Sequence, residues 1–214
     1  MIRNFKRTAA IFGIVAATST ALVACSESNE SGSAEGGSDG AEVSGDLSGE
    51  GASSQKSAMS VFEKAFLEAY PDANFSYTSS GSGAGVKAFN GGTVDFAGSD
   101  SALKEDKGEV EAAKERCGGN DAWHLPTTIG PVAIAYNLGD TEVNLSTETL
   151  AKIFKGEITK WNDDAIKAEN EGTDLPDKNI TVIFRSDESG TSDNFQKFLK
   201  SATGHWDSEG KQFP

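Results

Sequence analysis

The segment Arg185-Ser186-Asp187-Glu188-Ser189-Gly190-Thr191 sets a guanidinium four residues ahead of a Ser-Gly-Thr run, just before a stretch in which Phe195, Phe198 and Leu199 mark one helix face. The first N–H groups of a helix have no intrahelical partner and the helix dipole favours negative charge there, so such a segment suits an anion. Gly190 lets an oxyanion come close to the backbone, Arg185 can offer paired N–H bonds to two oxygens, and Asp187 stands where it can hold that guanidinium. Taken alone, the same residues also describe an ordinary capped helix, with Ser189 as the cap and Arg185 in a surface ion pair.

Three further loops carry small and polar residues: 51–54 with Ser53 and Ser54, 81–85 with Ser82, and 98–100 ending in Asp100. Ser82 alone reads equally well as a turn residue.

The elements that must position these loops follow from hydropathy. A short Gly-rich first strand lies over 46–52. Ala58, Met59, Phe62, Phe66 and Ala69 recur at helical intervals until Tyr70-Pro71-Asp72 ends the pattern. Phe75 and Tyr77 alternate as in a strand, 81–85 reads as a turn, 86–89 as a short helix and 94–97 as a buried strand. Beyond these, the pattern predicts a charged helix over 104–116 that stops at Gly118-Gly119. The apolar run 129–137 predicts a strand buried on both faces and bridging two lobes. Helices follow around 147–154 and 163–169, then a strand over 180–184 and a helix over 191–200. Alternating strands and helices predict an α/β fold with a largely parallel sheet in each of two lobes, 46–128 and 129–214. Ligands of such sheets sit at the carboxyl ends of the strands, where the four loops fall.

The N-terminus reads as a targeting signal. Arg3, Lys6 and Arg7 precede an uncharged, mostly apolar stretch over 8–24, a little short of the ~20 residues that span a membrane. It ends in Leu22-Val23-Ala24-Cys25, which resembles the lipobox of bacterial lipoproteins and implies a lipid on Cys25 after cleavage of 1–24. Residues 26–45 are almost entirely Ser, Gly, Ala, Glu, Asp and Asn, a composition expected of a flexible tether.

Composition removes several function classes. With 36% hydrophobic residues, the 214-residue chain can bury a core. A formal net charge of −14 argues against nucleic acid, yet leaves room for a small anion bound by a local cluster of N–H groups and one Arg. Two cysteines and two histidines are too few for a disulfide framework or a Cys/His zinc site, so neither metal nor cofactor is expected. No glycine loop closes in Gly-Lys-Ser or Gly-Lys-Thr, so no phosphate loop for nucleotide hydrolysis is read in this chain.

Several segments together resemble the phosphate-binding protein of the high-affinity phosphate ABC transporter. They are Gly49-Glu50-Gly51-Ala52-Ser53, Gly81-Ser82-Gly83-Ala84-Gly85-Val86-Lys87, Val94-Asp95-Phe96-Ala97-Gly98-Ser99-Asp100, the stretch 150–163 and Arg185 to Thr191, in the family's order. The resemblance implies a two-lobed, periplasmic-binding-protein-like (type II) α/β fold with an incomplete second lobe. It further implies phosphate in the interlobe cleft and an ABC permease and its ATPase as partners; a monomer is the default expectation.

Carried over by position, Ser53 and Ser54 would bind phosphate from the first turn, Ser54 standing where the family often has an aromatic residue that uses its backbone N–H. Ser82 and Asp100 would contribute from the next two loops, and Arg185, Ser189, Gly190 and Thr191 from the other lobe. A carboxylate accepts hydrogen bonds and donates none, so Asp100 would demand a protonated ligand oxygen; phosphate at neutral pH has one and sulfate does not.

The alternatives are a hydrolase with Ser189 or Ser82 as nucleophile and His124 or His205 as base, a phosphatase on the same fold, and a receptor for another oxyanion. Ser82 lacks the glycine two places earlier that a nucleophile elbow requires, Ser80 standing there. His124, between Trp123 and Leu125, reads as a packed strand residue.

Overall fold

The computed structural model describes residues 43–214, which fall within one compact unit. The expected secretion signal, Cys25 and most of the expected tether at 26–45 lie outside the described residues. The first strand, β1 (Gly45–Gly51), begins on the last tether residue.

Three strands form a parallel sheet in the order β2-β1-β3, with β2 at Ala73–Ser79 and β3 at Phe96–Gly98. Helix α1 (Lys56–Ala69) connects β1 to β2, and α2 (Ser82–Asn90) connects β2 to β3. Met59 buries α1 against the sheet, and Phe66 packs on Phe75 at 6.0 Å between ring centroids. The register sets Gly51 beside both Ser79 and Gly98, so the loops leaving the three strands open side by side. The sheet thereby places three of the four expected loops together before any side chain acts.

Two glycines make this close arrangement possible. Gly51 has φ +148°, and a Cβ there would lie 1.9 Å from the Gly98 carbonyl oxygen; one at Gly85 of α2 would lie 2.4 Å from the Glu50 carbonyl. Helix α2 starts at Ser82, so its first turn occupies the stretch read as a turn from sequence. Gly83 and Gly85 are there for contact with neighbouring chain and not for flexibility.

Beyond β3 the chain is helical and irregular. Helix α3 (Glu109–Arg116) starts later than expected, after the left-handed Gly108 with φ +68°. Helices α4 (Thr147–Phe154), α5 (Asp164–Glu169) and α6 (Gly190–Ala202) are each capped by a side chain, from Ser146, Asp163 and Ser189 respectively. Glu169 reaches back to accept bonds from the Ser146 N–H at 2.7 Å and the Thr149 hydroxyl at 2.6 Å, joining α5 to the start of α4. One core cluster gathers Ile153, Ile158, Ile166 and Leu175, and another Ala151, Leu199 and Trp206 with Phe154, Phe195 and Phe213 around them.

The strands expected over 129–137 and 180–184 do not form. Ile129 is 102% exposed and Ile183 is 87% exposed, and among the described residues neither segment has a strand to pair with. An apolar run becomes a buried strand only when neighbours take up its N–H and C=O groups in a ladder; here the Ile180 N–H donates to the Thr159 carbonyl at 2.8 Å, and no ladder continues from it. His124 likewise is exposed and lies outside any strand, with Trp123 87% and Leu125 74% exposed beside it.

Candidate functional site

The site forms where the N-termini of α2 and α6 meet the end of β3. Asp100 is its centre. Its carboxylate accepts the Ser54 hydroxyl at 2.6 Å and the Thr191 hydroxyl at 2.9 Å, its N–H donates to Ser82 Oγ at 3.2 Å, and its carbonyl accepts from Asn194 Nδ2 at 2.7 Å. Three separate chain segments, the turn at Ser54, the start of α2 and the first turns of α6, thus converge on one residue.

Helix α6 is held tightly to α2. The Gly83 N–H donates to the Glu188 carbonyl at 2.9 Å, and Lys87 Nζ lies 2.8 Å from Glu188 Oε2. A Cβ on Gly190 would sit 2.5 Å from Ser82 Oγ and 2.9 Å from the Asp100 Cβ, so only glycine fits where α6 begins. Ser189 is buried; its hydroxyl accepts from the Ser192 N–H at 3.2 Å and its own N–H donates to the Lys211 carbonyl at 2.9 Å. It therefore serves as the helix cap foreseen in the plainer reading.

Arg185 and Asp187 form a two-point ion pair, with Arg185 Nε donating to Asp187 Oδ1 at 2.8 Å and the second guanidinium nitrogen to Oδ2. Asp187 also lies against Gly81, at the N-cap of α2. The pair presents the guanidinium on the rim of the α2–α6 junction, half-buried and held in one orientation. Ser53 lies in the short 3-10 turn Ser53–Gln55 beside these residues, without a side-chain bond to Asp100.

A cavity of about 520 Å³ opens on Asp100. Ser54, Gln55, Ser99, Thr191 and Asn194 line it, and the stretch 128–132 faces them. Of the residues singled out from sequence, the structure brings Ser54, Ser82, Asp100, Gly190 and Thr191 into mutual contact. Asn194 was missed, although it stands three residues after Thr191, which on a helix places both on one face.

The floor of the site is fixed by Tyr77, whose hydroxyl donates to the Ala52 carbonyl at 2.9 Å. Burial, with the Asp100 and Glu50 carboxylates nearby, pushes this phenol up to about 12, so it remains a donor and holds the turn that leads into Ser53.

Behind the site, Asp193 is fully buried. Burial pushes its carboxyl up, but bonds from Lys197, Lys104 and Ser101 outweigh burial and hold it well below its ordinary 3.8. A folded value below the unfolded one means that the stabilisation is present above about 3.8 and is lost as pH falls below it. Urea midpoints of the parent should therefore drop between about pH 5 and pH 3 more steeply than those of Asp193→Asn; parallel curves would contradict the assignment.

Neither histidine supports a nucleophile. His205 Nε2 pairs with Glu148 Oε1 at 3.2 Å, while the hydroxyls of Ser82 and Ser189 accept from the N–H groups of Asp100 and Ser192. The His–Ser contact that hydrolysis by Ser82 or Ser189 requires is not formed.

Family comparison decides the class of fold. A model described as the PBP superfamily domain matches residues 36–212. This chain belongs to the PBP superfamily. Among its relatives, phosphate-binding protein PstS2 of Mycobacterium bovis (strain BCG / Pasteur 1173P2) is 47% identical over 209 residues, which cover 95% of this chain and 56% of that protein. Phosphate-binding protein PstS3 of the same strain is 44% identical over 219 residues, 98% of this chain and 58% of the relative. A solved structure from Clostridium perfringens, assigned as a phosphate ABC transporter substrate-binding protein and holding bound phosphate, superposes with a TM-score of 0.52 at 25% identity. That match covers 77% of this chain and 62% of the other. The chain spans a little over half the length of the curated PBP superfamily relatives it matches. The periplasmic-binding-protein-like α/β fold expected from sequence is the fold of this superfamily member, and the relatives' names describe binding, a role without turnover.

Proposed function

We propose that this protein binds inorganic phosphate at the junction of α2 and α6 and presents it to an ABC importer, without turning it over. The observation that carries the reading is the surrounding of Asp100. A carboxylate that only accepts is set among Ser54, Thr191 and two helix N-termini, an arrangement suited to an oxyanion with both bare and protonated oxygens. Ser53, Ser54 and Ser82 contact the anion from the sheet side and Arg185, Ser189, Gly190 and Thr191 from the α6 side, Ser54 and Thr191 through backbone N–H groups because their hydroxyls donate to Asp100, and Asp187 holds Arg185 in place.

In this reading residues 46–128 and 129–214 belong to two lobes. Both core clusters draw their residues from 138–213, within the second of these lobes. Delivery involves a permease and its ATPase, and a lipid on Cys25 with the tether at 26–45 keeps the monomeric receptor on the outer face of the cell membrane.

A phosphatase on the same fold and a receptor for another oxyanion are the competing outcomes. Equilibrium dialysis against radiolabelled phosphate, with a chromogenic phosphoester in a parallel sample, separates them. Retained phosphate and an intact ester are expected; ester cleavage, or no retention, would overturn the proposal.

A further inference from the structure

Asp193 lines no part of the cavity, yet it occupies the first turns of α6 two residues after Thr191 and is sealed from solvent. Its carboxylate accepts from the Ser101 hydroxyl at 2.7 Å and lies 2.9 Å from Lys104 Nζ and 2.7 Å from Lys197 Nζ. Ser101 directly follows Asp100. The 101–193 contact therefore lies immediately behind the 100–191 contact, so that two successive residues of one loop are tied to one helix.

The ties continue into a closed circuit. The Lys104 N–H donates to Glu109 Oε2 at 2.9 Å, Lys211 Nζ donates to Glu109 Oε1 at 2.8 Å, and the Lys211 carbonyl accepts from the N–H of Ser189, the cap of α6. Gln196 anchors the same strap by donating to the carbonyls of Gly210 and Gln212 at 2.8 and 2.9 Å. Together these bonds link the stretch 101–109, α6 and the strap 210–212 to one another.

A buried ionic cluster of this kind is a poor source of stability, because desolvation takes back most of what the charges gain, and apolar residues of similar volume do as well or better. What it supplies is register, since charge-assisted bonds have narrow geometry.

We propose that Asp193 is a positioning residue for the anion site: through Ser101 and Lys104 it fixes Asp100 opposite Thr191, and phosphate affinity depends on that register. The inference rests on the phosphate reading above.

Calorimetric titration with phosphate tests it on the parent, Asp193→Asn, Thr191→Ala and the double variant. Asp193→Asn should weaken phosphate binding by about tenfold or more, the weight of one charge-assisted hydrogen bond lost from the ligand. The double variant should lose less than the sum of the single losses, because Thr191 is no longer aimed once Asp193 is neutral. Ser101→Ala and Lys104→Met should shift affinity in the same direction, and they decide the question if Asp193→Asn does not fold. Lower unfolding temperatures with unchanged affinity and additive effects would make the cluster merely structural and overturn the inference. A parent that binds no phosphate would instead overturn the reading beneath it.

Discussion

Asp100→Asn should collapse discrimination between phosphate and sulfate. In the parent, the Asp100 carboxylate already accepts two hydroxyls, from Ser54 and Thr191, and any ligand oxygen beside it must bring its own proton or face a like charge. Asparagine keeps the shape and replaces one acceptor with a donor, so a fully deprotonated anion gains a partner and loses a repulsion. The ratio of phosphate to sulfate affinities should fall by about 100-fold, equivalent to about 2.7 kcal/mol, mainly through gained sulfate binding. The backbone contacts of residue 100 with Ser82 and Asn194 do not involve the carboxyl and should keep the variant folded. Competition calorimetry reads this directly, and an unchanged ratio would remove Asp100 from selectivity.

Gly51→Ala should cost more stability than any surface change. The backbone there has φ +148°, which side chains rarely adopt, and the added methyl would fall 1.9 Å from the Gly98 carbonyl oxygen, inside the sheet. That oxygen also accepts the Ala52 N–H at 2.8 Å, so it cannot withdraw without opening the turn that carries Ser53 and Ser54. A loss of more than about 3 kcal/mol is expected, lowering the unfolding temperature by roughly 6–12 °C. Gly92→Ala is the matched control: its φ is +71° with open space around it, so only the backbone term of about 1–2 kcal/mol applies. Equal losses in the two variants would show that the close approach at Gly51 is not what matters.

The first half of the fold was legible because each level of the sequence agreed. The stripe from Ala58 to Ala69 gave α1, the alternation at Phe75 and Tyr77 gave β2, and the polar loops fell at the strand ends. The start of α2 was hidden by Gly81, Gly83 and Gly85, which look like turn residues. Their purpose, letting Asp187, Glu188 and the end of β1 come close, is a tertiary fact.

The apolar runs 129–137 and 180–184 carry strand-like residues, but a strand is a property of a pair, and pairing cannot be read from one segment. The site shows the same division. Hydroxyls, glycines and one carboxylate in loops were visible as a candidate site, and Ser54, Ser82, Asp100, Gly190 and Thr191 do come together. Asp193 was not, since a charge on a helix reads as solvated until the fold shows Ser101 and Lys104 closing over it.

The most direct test of the account is a calorimetric titration of the phosphate-free protein, first with sulfate and then with phosphate in the same cell. Sulfate should give no heat of binding, and phosphate should bind saturably at one per chain, unaffected by the sulfate already present. Equal binding of the two anions, or none of either by a folded sample, would contradict it.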